Sequence, residues 1–141
     1  MTPDELTAAL GSPLPPEGFT VLRLWEGPSL VGVYEEEWAA AESRAQDRLS
    51  ALTTALDARW GPHRRVGMRV PIFRGVAGAP MPALFQSLVD QDLLGDLAVW
   101  GPVGDDGRHV GVSLNQSDGD APMIVAAVVS REPIVELEDE D

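Results

Sequence analysis

The chain has 141 residues, 44% of them hydrophobic, no cysteine, and a formal net charge of −13. That is enough apolar material for one cored domain and too much for a disordered chain. It excludes a disulfide framework, thiol catalysis and a thiolate metal site, and the acidic surplus disfavours sequence-specific DNA binding.

Thr2-Pro3-Asp4-Glu5 starts a short helix, with Thr2 as cap, Pro3 at the first helical position and Glu5 completing a capping box. The helix ends at Gly11. Ser12 to Gly18, with three prolines, reads as an extended connector. Phe19 to Glu26 reads as a strand: Phe19, Val21, Arg23 and Trp25 on one face, Leu22 and Leu24 on the other. Gly27-Pro28-Ser29 is a turn, and Leu30 to Tyr34 is expected to return as a second strand, weakened by Gly32.

Glu35 to Trp60 is the longest stretch without Gly or Pro. Trp38, Ala41, Ala45, Leu49, Leu52 and Leu56 step by three or four, so they form one stripe on a long helix. Glu35, Glu36 and Glu37 suit the positive end of its dipole, and Gly61-Pro62 stops it. Arg65 to Arg74 alternates apolar and other residues and is expected to be a strand, at an edge or bulged because of Pro71. Met81 to Asp92 reads as a shorter core helix. Asp96 to Val103 and Arg108 to Asn115 flank Gly104-Asp105-Asp106-Gly107, a strong hairpin signal. Met123 to Ser130 is continuously apolar, as a strand covered on both faces requires.

The expected class is α+β. It is a single-domain sandwich over residues 1–135, with an antiparallel or mixed sheet of about five or six strands. One long and one shorter helix are expected mainly on one face. Residues 136–141 read as an acidic, disordered tail. No run of ~18 apolar residues is present, so no membrane span is expected. The acidic start of the chain lacks the basic residues of a secretory signal, and a cytoplasmic home is expected.

All ten basic residues are arginine, and asparagine occurs once, a bias that points to a high-GC bacterial source. The charge is uneven. Glu132 to Asp141 holds six acids and no base, whereas Ala58 to Val89 holds five arginines and no acid. Arg59, Arg64, Arg65 and Arg69, from this second segment, could hold a phosphate or another anion. The plainer reading is that they pair with the chain's own carboxylates.

Other chemical signals are thin. There is no GxGxxG, Walker A, GxSxG or HExxH pattern, and Ser29 lacks the spacing of a nucleophile elbow. His63 and His109, with Asp105 or Asp106, would make a two-histidine, one-carboxylate site only if the fold gathered them; two surface histidines are the plainer reading. The oxygen-rich run Asn115 to Asp120 lacks the EF-hand spacing. No catalytic residue, metal site or cofactor is expected.

Trp100, expected to be an exposed aromatic, together with Asp105, Asp106, Asp118 and Asp120, is the candidate partner-binding set. The expectation is therefore a non-catalytic domain that binds another protein of basic character, in the manner of an immunity, antitoxin-type or accessory protein. The rivals are a small enzyme or ligand-binding domain using the arginine cluster to hold an anionic small molecule, and a structural subunit of a larger assembly.

Overall fold

Five strands pair antiparallel throughout in a computed structural model that describes residues 3–138. Their spatial order is β1-β5-β4-β3-β2. The strands are β1 (Phe19–Glu26), β2 (Arg64–Val66), β3 (Leu97–Val103), β4 (Arg108–Asn115) and β5 (Ile124–Ser130). The helices are α1 (Pro3–Ala9), α2 (Glu35–Trp60), α3 (Arg69–Ala77) and α4 (Ala83–Asp90). The α+β class and the single sheet are as expected.

The sheet divides the core in two. Successive strand residues point to opposite faces. Val125, Ala127 and Val129 of β5 join Leu52 and Leu56 of α2, Leu6 of α1 and Trp100 on one side. Ala126 and Val128 join Phe85 and Leu88 of α4, Met68 and Ile134 on the other. The long and the shorter helix thus take opposite faces. This is the cover that the unbroken apolar run of β5 demands: a strand between two dry layers has no face left for polar residues.

Two expected strands are not strands in full. Leu30 to Tyr34 is a turn, because Gly32 takes a positive φ of 71° and Leu30 drops into a small cluster with Ala41, Ala45 and Met123. Arg65 to Arg74 is strand only through Val66 and then becomes α3. Pro71 is the third residue of that helix, where a missing N–H costs no helical hydrogen bond. The alternation of Val66, Met68, Val70 and Ile72 satisfies either structure over so short a span.

The C-terminal acidic tail, residues 136–141, was expected to stay unpacked. Through Glu138 it lies against the domain instead. Ile134 is buried and Leu137 packs on the α4-side core. The Gly67 N–H donates to Glu136 Oε1, and Arg74 donates to the Glu138 carbonyl at 3.4 Å. Asp139, Glu140 and Asp141 lie outside the described residues.

Candidate functional site

Trp100 cannot serve as an exposed anchor, because it is only 2% exposed. It shares the α2 face with Val110 and Val112, and its indole N–H donates to Asp57 Oδ1 and to the Gly61 carbonyl, each at 3.0 Å. Trp60 and His63 meet the same ring edge-on, at centroid distances of 5.8 and 5.6 Å. The expectation of exposure fails because α2 runs over this face of β3, which alternation alone does not reveal.

The four expected aspartates do not form one patch. Asp105 and Asp106 lie at the β3–β4 turn, and Asp118 and Asp120 lie beyond the far end of β4. That strand separates them by about 23 Å at ~3.3 Å per residue. Asp106 is 3.7 Å from Arg108. Asp118 Oδ1 accepts the N–H groups of Asp120 and Ala121 at 2.8 and 3.0 Å, which holds its loop in shape.

The arginine cluster is internally engaged. Arg59 pairs with Asp4 of α1 and donates to Thr7, Arg64 donates to the Ile134 carbonyl, and Arg65 pairs with Asp96. Arg69 stacks over Phe73 at 5.1 Å. The recess that Arg65 and Arg69 line also presents Asp96, Glu136 and Glu138, so an anion there would meet three carboxylates. Burial alone would raise the pKa of Asp96. The Met68 N–H and the Arg65 guanidinium more than offset this and hold it below the ordinary carboxylate value.

The sheet keeps the two histidines apart. His63 sits beside Trp100 on the α2 side, with Nδ1 2.9 Å from Asp57 Oδ1. That hydrogen bond is the main reason the Asp57 carboxyl sits below its ordinary pKa. His109 is not on the surface: it is 9% exposed, and it points opposite to Val110, into the other layer. Its Nδ1 has no hydrogen-bond partner among the described residues, and burial, followed by the charge on Arg64, pushes its pKa down. Gly101 makes room for the ring.

Large apolar side chains that do face solvent lie elsewhere: Phe73 and Val76 on α3, Val135 near the end of the chain, and a pair ahead of α2. Val31 is 72% exposed and Tyr34 81% exposed, in the segment that leads into α2. The exposed carboxylates Glu35, Glu36 and Glu37 follow directly. The loop carrying Asp118 and Asp120 is tied to this segment. The Leu30 N–H donates to the Asp120 carbonyl at 3.0 Å, and the Trp38 indole donates to the Gly119 carbonyl at 3.0 Å. Two separate acidic stretches of sequence thus meet at one end of the molecule around two exposed apolar side chains. Reading Leu30 to Tyr34 as a strand hid this. The available signal was Gly32 beside two large apolar residues, just ahead of three glutamates.

No family model matches this chain, and no curated protein or solved structure is significantly similar to it. Among the described residues, no helix is long and apolar enough to cross a membrane.

Proposed function

We propose that this chain is a non-catalytic binding domain that docks on a basic partner protein through its acidic end. The observation that carries the reading is the pairing of Tyr34 and Val31, both strongly exposed, with the carboxylates of Glu35, Glu36, Glu37, Asp118 and Asp120. The acids steer a basic partner and set the association rate. Tyr34 supplies the amphipathic anchor that such interfaces favour. An immunity, antitoxin-type or accessory role suits this mechanism, because occupation of the partner's basic site is itself the activity. The internal engagement of Arg59, Arg64 and Arg65 weighs against the rival reading in which those residues hold an anion.

The test begins with capture of a partner from the source cell and continues with salt-dependent kinetics on the purified pair. Association should slow as salt rises, with dissociation changing less. Replacing Glu35, Glu36 and Glu37 by Gln should slow association, and Tyr34→Ala should speed dissociation. Arg65→Ala and Arg69→Ala should leave binding intact in folded protein. An acidic partner whose binding fails on loss of Arg65 and Arg69 would overturn the reading.

A further inference from the structure

Strict alternation would place Trp25 with Val21, toward the α4 layer. A bulge prevents this. Arg23 pairs with Ala126 and Trp25 with Val125, so Leu24 is an extra residue and Trp25 turns to the α2 side. Bulges of this kind re-aim a side chain. Here the redirected indole forms a wall between β1 and α2, shared by two adjoining recesses of about 270 and 460 Å3. The larger is lined by Leu24, Ala51, Leu52, Ala55 and Val125 beside Trp25, and its volume lies within the range of small-molecule sites. Alanine on α2 leaves the space open where a longer side chain would fill it.

The charge at this place differs from that of the chain as a whole. Arg44 and Arg48 both line the smaller recess, and Arg48 lies 5.2 Å over the Trp25 ring. Among the described residues, neither forms an ion pair with a carboxylate. Among the described residues, the Arg44 side chain makes one hydrogen bond, from Nε to the Ala40 carbonyl of its own helix, at 3.4 Å. Asp47 borders both recesses, so the smaller sets two guanidinium groups against one carboxylate, and the larger sets Arg48 alone against it. In a chain of net charge −13, two arginines with no carboxylate partner among the described residues thus stand beside an apolar recess, and guanidinium groups so placed suit an anion.

We propose that the groove between α2 and β1 binds a small amphipathic anion, a carboxylate with an aliphatic or aromatic body. The body lies along Trp25, Leu24 and Leu52, and the carboxylate is held by Arg44 and Arg48. The smaller recess borders the acidic end through Leu30, whose N–H bonds to Asp120, but the proposed anion does not depend on the partner proposed above.

Octanoate, octanol and octyltrimethylammonium serve as probes, read through the four indole N–H signals in proton–nitrogen correlation spectra. Trp25→Phe assigns the Trp25 signal. Octanoate should shift that signal saturably, while the signals of Trp38 and Trp100, whose N–H groups are bonded within the fold, stay in place. Octanol should bind more weakly and the cation more weakly still. Arg44→Gln with Arg48→Gln should weaken octanoate at least about tenfold and leave octanol unchanged. Ala51→Leu should block both. Where the double variant disturbs the Trp100 signal, Arg44→Gln alone carries the comparison. The proposal is overturned by the absence of a saturable Trp25 shift, by all four signals moving together, by octanol or the cation binding as well as octanoate, or by full octanoate affinity in a folded arginine variant.

Discussion

The Trp100 indole donates one N–H to both Asp57 and Gly61, and so joins the middle of β3 to the end of α2. Asp57 is shared in turn with His63, through its ring at 2.9 Å and its backbone N–H at 3.0 Å. The cluster closes the helix, because the Gly61 N–H also returns to the Asp57 carbonyl at 2.9 Å. Trp100→Phe keeps an aromatic ring but removes the donor and part of the buried indole volume. It should cost about 1–3 kcal/mol in a denaturant titration. A loss below about 0.5 kcal/mol would mean that the indole hydrogen bonds contribute nothing net.

Asp57 gives this cluster a pH signature. Its folded pKa is depressed, chiefly by the His63 hydrogen bond, below the ordinary value of 3.8. Its contribution is therefore present above that value and is lost as pH falls through the folded pKa. Asp57→Asn should show a flatter acid limb than wild type as pH falls below about 5. Parallel limbs would show that the contact does not form in solution.

His109 acts in a different window. Its folded pKa lies below the ordinary 6.5, because burial disfavours the imidazolium and Arg64 repels it, with Glu132 opposing. The unfolded chain then binds a proton more readily than the folded one, so stability declines as pH falls below about 6.5 and levels off beneath the folded pKa. Stability curves should be flatter in His109→Gln across that window. Gly101→Ala tests the same packing, since a Cβ there would collide with the His109 ring; the expected cost is about 1–3 kcal/mol.

Leu56 is fully buried at the centre of the α2 face. Leu56→Ala should cost about 2–5 kcal/mol by leaving a cavity. Val76→Ser, at an exposed position of α3, should change stability by no more than about 0.5 kcal/mol. Equal effects would mean that the helical stripe is not the core.

Truncation after Val135 removes the Glu136 acceptor of the Gly67 N–H, the Leu137 contact and the Arg74 hydrogen bond to Glu138. The melting temperature should fall by a few degrees. An unchanged value would return this end of the chain to the role of a free acidic tail.

Patterns longer than two turns, or repeated over a whole strand, were legible in the sequence alone. The spacing from Trp38 to Leu56 specifies α2 to its last residue, because one buried stripe and a Gly-Pro stop leave no other solution. The apolar run of β5 and the Asp-Gly hairpin between β3 and β4 are specified in the same local way. Tertiary structure decided the rest. Val66 to Ile72 satisfies a strand and a helix, and the held Met68 N–H together with the packing of α3 on α4 decide for the helix. The exposure of Trp100 and Trp25 depended on where α2 lay and on one extra residue in β1, neither of which is a property of their neighbours in the chain. The acidic end likewise exists because backbone hydrogen bonds bring Leu30 to Asp120 and Trp38 to Gly119, residues far apart in sequence. Periodicity reports which face of an element is apolar, and only the packed chain decides which of those faces water still reaches.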